Sequence, residues 1–262
     1  MCTCEKDYRQ KKKSYILENN EISPGIFKMV VASNRIESIA IPGQFVNLYC
    51  KEGSRLLPRP ISICEIDRDI NTLTFVYGVV GKGTEEFSRM KPGEYIELLG
   101  PLGNGFKIEK GINRHILVGG GIGIPPLLQL CKELKGEKEV YLGYRSGQFL
   151  AEEFQKHGAK VFIATDDGSF GHKGTVVDIL NETKATGDML YSCGPKPMLK
   201  AVARWAEKNG IKAQLSLEER MGCGIGTCVG CVVRIKTGDT WEYKKVCMDG
   251  PVFYSEEVVW DV

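Results

Sequence analysis

The sequence lacks any long hydrophobic run. Its longest uncharged stretch covers residues 116–131, and those 16 residues include four glycines and two prolines. A membrane-spanning helix needs about 20 mostly apolar residues, so none is predicted. The N terminus also lacks the apolar segment of a secretory signal. We therefore expect a cytoplasmic protein whose cysteine thiols are kept reduced.

The sequence also lacks a charge excess and is poor in histidine. Its 35 Lys and Arg residues nearly balance 33 Asp and Glu residues, for a net charge of +2. No strong field favours nucleic acid or an anionic membrane as a partner. The only histidines are His115, His157 and His172. No set of side chains for activating an organic substrate is evident, so we predict that substrate chemistry occurs on another protein.

Three segments with different patterns predict the fold class, a β barrel plus α/β. Residues 1–110 contain short β-rich runs separated by turns, which favours an antiparallel barrel. Residues 111–215 alternate strands with helices, which indicates a parallel sheet. Residues 216–262 are rich in cysteine and glycine and contain a hairpin, CVVRIK-TGD-TWEYKKV. So small a segment needs a metal or a docking surface for stability.

Four of the ten cysteines follow the pattern C-x4-C-x2-C-x15-C, with glycines among the first three: Cys223, Cys228, Cys231 and Cys247. This is the plant-type spacing for a [2Fe–2S] cluster, in which one loop supplies three thiolates and a distant element the fourth. The alternative is structural zinc, which usually takes two C-x2-4-C pairs. Cys50, Cys64 and Cys131 are expected in the core. Cys2 and Cys4 either bind metal or lie in an unstructured end.

Two segments of the predicted sheet have features of a nucleotide site. The run Gly119, Gly120, Gly121, Ile122 and Gly123 follows the strand HILV and precedes a proline-opened helix. Glycines after a strand allow a phosphate to approach the backbone. The run Cys193, Gly194 and Pro195 ends a later strand, where open α/β sheets bind ligands. The alternative for the glycine run is a turn that binds nothing.

Two segments of the predicted barrel suit a pyrophosphate. The first is the run Arg59, Pro60, Ile61 and Ser62, since an arginine fork donates two hydrogen bonds. The second is Gly83 and Thr84, which can present backbone amides before a short helix. Taken singly, either segment could be an ordinary turn.

In this order, the motifs R-P-x-S, G-x-G-T, the glycine-proline loop and C-G-P resemble the ferredoxin-NADP reductase superfamily. With the four cysteines and the run DGPVF after the last of them, nearly the whole chain is similar to the electron-transfer subunits of type B dihydroorotate dehydrogenases. The resemblance implies FAD in the barrel, NAD on the sheet and a [2Fe–2S] cluster on the four cysteines.

The resemblance also implies individual roles. Arg59 would bind the FAD pyrophosphate and Ser62 would approach the isoalloxazine. The flavin would be lined by Val76, Tyr77 and Gly78, and its phosphates held by Gly83 and Thr84. The loop at 119–123 and the run 193–195 would bind NAD. Selection of NAD over NADP is left open, because Arg145 and no acidic residue follows the strand VYLGY.

The resemblance further implies a partner, an FMN-containing dihydroorotate dehydrogenase catalytic subunit, in a heterotetramer with two copies of each chain. Electrons would run from FMN through the cluster and FAD to NAD, in pyrimidine biosynthesis. Two alternatives stay open. One is a subunit of an NADH-dependent ferredoxin-NADP reductase or a sulfhydrogenase, and the other is a zinc-stabilised interaction module.

Overall fold

The computed structural model describes residues 11–260, so the predictions for Cys2 and Cys4 lie outside the described part. Its first unit is a closed antiparallel barrel with strand order β1-β2-β5-β4-β3-β6. The strands are β1 (Lys12–Ser23), β2 (Ile26–Ala32), β3 (Phe45–Tyr49), β4 (Arg59–Asp67), β5 (Thr72–Gly78) and β6 (Tyr95–Leu102), with helix α1 (Lys82–Ser88) after β5. The β-rich runs of the sequence are FKMVVAS, GQFVNLYC, RPISICEID, TLTFVYGVV and GEYIELLG, and they omit β1, the longest strand. Its alternation of buried Ser14 and Ile16 with exposed Tyr15 and Leu17 contains too few apolar residues to identify it.

The second unit is a sheet with α helices, as the alternating pattern predicts. Its strands are β7 (Arg114–Gly120), β8 (Glu137–Tyr144), β9 (Lys160–Thr165), β10 (His172–Lys173), β11 (Met189–Cys193) and β12 (Lys212–Ser216). Its helices are α2 (Pro126–Glu133), α3 (Ala151–Lys156), α4 (Val176–Glu182) and α5 (Lys196–Lys208). These six strands are parallel and lie in the order β10-β9-β8-β7-β11-β12. The order in which they follow along the chain reverses between β7 and β11. Ligands of such sheets bind beyond the carboxyl ends of the strands at this reversal.

The C-terminal segment is tied to the other two units. The predicted hairpin is confirmed as β13 (Val232–Thr237) and β14 (Thr240–Lys245). The last strand, β15 (Val252–Tyr254), pairs antiparallel with β12 and extends the sheet. A shared apolar cluster joins Phe45 of the barrel and Leu215 of the sheet to Cys231 and Cys247. The segment therefore gains its stability by docking onto the rest of the chain.

The barrel and the sheet are joined through α2. Buried Gln129 accepts a hydrogen bond from the backbone N–H of Ile66 at 2.8 Å, and Val76 lies in one core with Leu127. Cys64 and Cys131 are fully buried, which confirms the prediction that they pack in the core, whereas Cys50 is half-buried. Within residues 11–260 no helix has the length and apolarity needed to cross a membrane. The predicted fold class is confirmed.

Candidate functional site

The fold brings Arg59 and Gly83 together from separate elements. Arg59 begins β4, and Gly83 lies in the first turn of α1. A Cβ atom built on Gly83 would lie 2.6 Å from Arg59 Cζ and 2.7 Å from its Nη2, so a larger residue would displace the guanidinium from this position. A planar cation resting on open backbone fits a bound phosphate. The Thr84 hydroxyl accepts from the N–H of Val80 at 3.0 Å and shapes this loop.

Beside Arg59, two strand edges diverge. The strands β4 and β5 pair from Ile63 with Phe75 onward, but Arg59–Ser62 and Val76–Gly78 do not pair with each other. Their other edges are occupied by β3 and β2. The result is a slot bordered by the two segments for which the resemblance implies flavin contacts. These unpaired edges fit a planar ring that takes up their hydrogen-bonding groups.

Tyr77 contributes its backbone, not its ring, to this slot. The ring is buried in the barrel, where it stacks on Phe27 and meets Phe87 edge-on. Its hydroxyl donates to Asn19 Oδ1 at 3.1 Å, and burial raises the pKa of Tyr77. Val76 lies on the other face of β5, in the apolar core that also contains Leu127 of α2. The strand β5 also contacts the turn at Gly121–Gly123. The slot therefore adjoins the nucleotide-binding candidate.

The two nucleotide-binding candidates lie side by side at the reversal of the sheet. Cys193 is in register with Gly119 across β11 and β7. A Cβ atom on Gly123 would lie 2.5 Å from Gly194 Cα, so this glycine lets the two backbones touch. Gly121 differs, because its φ is +51° and nothing lies within 4 Å of the Cβ position. A ligand therefore has open access to the loop at Gly121.

Cys193 is part of a polar group that the sequence analysis missed. Its thiol is buried and hydrogen-bonds the Ser216 side chain, and burial raises its pKa to about 12. It is therefore protonated at neutral pH and unsuited to act as a nucleophile. Glu218 lies nearby, and burial, with help from Glu219, raises the pKa of its carboxyl group. The only sequence signal was that Ser216 ends, and Glu218 follows, the strand beside β11.

The four cysteines of the spacing pattern come together as two contacting pairs. Cys228 lies within hydrogen-bonding reach of Cys223, and Cys231 lies within reach of Cys247. Cys223 is also close enough to Cys247 to raise the pKa of its thiol, so the two pairs are close to each other. Cys231 and Cys247 are buried, whereas Cys223 and Cys228 are partly exposed.

Backbone amides point at the sulfurs. The N–H of Cys228 donates to Cys223 Sγ at 3.3 Å, and that of Gly226 donates to Cys247 Sγ at 3.2 Å. Burial acts to raise the pKa of Cys223, but amide donors from Cys228 and Ile225 outweigh it and lower the pKa to about 6. Burial and Cys231 raise the pKa of Cys247 to about 12. Donors of this kind stabilise the negative sulfurs of a cluster.

The paired arrangement fits two irons, each of which takes two protein thiolates. Within residues 11–260, no three His, Cys, Asp or Glu side chains are placed to hold a single metal ion. A zinc site of the usual tetrahedral kind requires its ligands to surround one point. The two thiol pairs therefore fit the ligand set of a two-iron cluster.

Comparison with solved structures defines the class of protein. An NADH-dependent reduced ferredoxin-NADP oxidoreductase, solved in work on flavin-based electron bifurcation, superposes with a TM-score of 0.83 and 30% identity, covering 94% of this chain and 90% of that one. The cytochrome b5 reductase domain of Ulva prolifera nitrate reductase shares the fold alone, with a TM-score of 0.64 and 17% identity over 78% of this chain and 95% of that domain. The chain is thus a ferredoxin reductase-like oxidoreductase with a C-terminal cluster domain.

Comparison with known sequences gives the family. The model of the iron-sulfur cluster binding domain of dihydroorotate dehydrogenase B matches residues 218–259. The dihydroorotate dehydrogenase B (NAD(+)) electron transfer subunit of Caldanaerobacter subterraneus subsp. tengcongensis is 41% identical, covering 96% of this chain and 99% of that protein. The subunit of the same description from a Geobacillus species is 43% identical, covering 93% and 96%. The chain belongs to this family of electron transfer subunits, which confirms the resemblance found in the sequence.

Proposed function

We propose that this chain carries electrons from an FMN-containing dihydroorotate dehydrogenase subunit to NAD+. The balanced reaction is dihydroorotate plus NAD+ giving orotate, NADH and a proton. When bound, FAD exchanges two electrons with nicotinamide and single electrons with the [2Fe–2S] cluster. The observation that carries the proposal is the adjacency of three sites on one chain: the slot beside Arg59, the loop at Gly121 and the paired thiols.

In this proposal, particular residues have binding roles. Arg59, resting on Gly83, would hold the FAD pyrophosphate, and the open edges at Ser62 and Val76 would hold the ring. Gly121 would admit the NAD phosphates. The neutral Cys193 thiol would position the nicotinamide beside the flavin without reacting with it.

We further propose Asp166, which lies outside the sequence motifs, as the acidic group for NAD selection. Asp166 follows β9, and its backbone N–H donates to Tyr144 O at 3.1 Å, beside Arg145. β9 is separated from β7 and its glycine loop by β8. A carboxylate beyond the carboxyl end of a strand in this part of the sheet would favour a ribose with free hydroxyls and repel the extra phosphate of NADP. We assign Asp166 to this role.

The catalytic subunit would dock where the cluster is nearest the surface. Large apolar side chains are exposed around the cysteines, at Ile225 (50%), Val229 (73%) and Met248 (61%). Exposed apolar groups that cluster on a surface mark interaction sites. The assembly would be a heterotetramer with two copies of each chain. We also place domain boundaries near residues 110 and 215 and the protein in the cytoplasm, where cluster thiols stay reduced.

The decisive test is anaerobic purification of the tagged chain from its own cells, followed by addition of dihydroorotate and NAD+. NADH formation together with NADH oxidation by an artificial dye supports the proposal. Dye activity with a different co-purified enzyme would favour the alternative, an NADH-dependent ferredoxin-NADP reductase, to which the fold is similar. A colourless protein that contains zinc would support the interaction module.

Replacing one cluster thiol distinguishes electron transfer through the cluster from electron transfer between FAD and NAD. We expect Cys228→Ser to abolish dihydroorotate-dependent NAD+ reduction and to spare NADH oxidation by a two-electron dye. Cys131→Ala is the matched control, because Cys131 is buried in α2 away from the cluster. Equal loss of both activities in Cys228→Ser would contradict the proposed order of carriers.

A further inference from the structure

Two asparagines of the barrel unit hydrogen-bond the two segments that carry the cluster cysteines. Asn47 lies on β3, fully buried, and its Nδ2 donates to the backbone carbonyl of Cys223 at 2.9 Å. Asn104, just beyond β6, donates from Nδ2 to the carbonyls of Met248 at 3.1 Å and Asp249 at 2.9 Å. Asn47 thus holds the segment that begins at the first cysteine, and Asn104 holds the segment that follows the last cysteine.

The contact at Asn47 is close. Gly224 has a φ of +67°, and a Cβ atom there would lie 2.5 Å from Asn47 Oδ1 and 2.6 Å from Nδ2. Within the described residues, Oδ1 is buried without a hydrogen-bond partner. An unpaired buried acceptor is unfavourable, and an apolar residue would suit this strand better. The amide is thus explained by the loop it holds, not by the stability of the barrel.

The same strand that holds the cluster loop also borders the flavin slot. Asn47 is paired with Pro60 of β4, and Leu48 with Arg59. Phe45, two residues before Asn47, packs in one apolar cluster with Cys231 and Cys247. The separation between slot and cysteines is therefore set by β3 and by what β3 touches.

We propose that Asn47 and Asn104 are positioning residues that fix the cluster relative to the flavin. They would keep the distance and orientation for single-electron transfer constant. This inference rests on the proposed function, because it requires both cofactors. Neither asparagine would touch the reacting atoms.

The test compares three variants of the complete, cofactor-loaded chain: Asn47→Leu, Asn104→Leu and Asn181→Leu. Leucine is close to asparagine in size but makes no hydrogen bond. Asn181 is the matched control, since its Oδ1 accepts from Trp205 Nε1 at 2.9 Å in the sheet unit. Asn104 is exposed, so its variant is expected to fold even if Asn47→Leu does not.

Three readouts apply: the electron paramagnetic resonance spectrum of the reduced cluster, its reduction rate after mixing with NADH, and the dye activity. We expect Asn47→Leu and Asn104→Leu to shift the spectrum and slow cluster reduction about tenfold, a usual size for such supporting contacts. Dye activity should be unchanged in all three variants. Asn181→Leu should match the wild type in spectrum and rate.

Wild-type spectra and rates in both Asn47→Leu and Asn104→Leu would overturn the inference, even if melting temperatures fell. The same holds if only Asn47→Leu fails to fold and Asn104→Leu behaves as wild type. A wild-type chain with no cluster signal would instead overturn the proposed function, and the inference with it.

Discussion

The central sheet and the cysteine-rich segment are stabilised in different ways. Every residue of β11 is buried, and so is all of β7 except Arg114. In β14, by contrast, no residue is fully buried, and Trp241 and Tyr243 are exposed. The sheet is stabilised by its own apolar strands, whereas the segment depends on β12, on β3 and on what its thiols bind. The chain thus places its redox cysteines on the part least able to fold alone.

The largest difference should appear when one side chain is shortened in each region. Leu190 is fully buried in β11, so Leu190→Ala should lower the free energy of unfolding by about 2–5 kcal/mol. Tyr243 is 58% exposed, so Tyr243→Ala should cost less than about 1 kcal/mol. Urea titrations followed by circular dichroism compare the two variants. Similar losses would mean that the hairpin belongs to the main folding unit.

Removal of iron should affect only the cysteine-rich segment. Chelation would leave Cys231 and Cys247 buried without a metal, so amides of β13 and β14 should exchange at least about tenfold faster with deuterium. Amides of β7 and β11 should exchange at an unchanged rate, which serves as the internal control. Faster exchange throughout the chain would show that the cluster stabilises the whole fold.

A smaller effect is expected where the two regions meet, at Glu218. Burial, with a contribution from Glu219, raises the pKa of this carboxyl group above its ordinary value of 4.5. The folded chain then holds the proton more tightly than the unfolded chain, so stability falls as pH rises through the interval between the two pKa values. Glu218→Gln removes this cost. Its melting temperature should exceed that of the wild type by about 1–3 °C at neutral pH.

The control for Glu218→Gln is the pH dependence itself. At pH 4 the wild-type carboxyl group is mostly protonated in both states, so the two melting curves should approach each other. A difference that is constant from pH 4 to pH 7 would assign the effect to packing instead of ionisation.

Much of the architecture was readable from local patterns. Strands such as β7 and β11 are short apolar runs, and the hairpin is marked by the turn TGD between two alternating runs. The thiol site was readable because C-x4-C-x2-C places three ligands on one loop. The strand β1 was not readable, because half of its residues face solvent and its polar residues obscure the two-residue alternation of a strand.

The order of the units, the four thiols and the glycine loop can be read from the amino-acid sequence, because each depends on residues close together in the chain. The contact of Arg59 with Gly83, the divergence of β4 and β5 beside it, and the contact of Cys193 with Ser216 follow from the folded chain. The same is true of the hydrogen bond by which Asn47 holds the loop of Cys223, 176 residues away. Such contacts join distant residues, and they form only where strand pairing and packing bring those residues to one place.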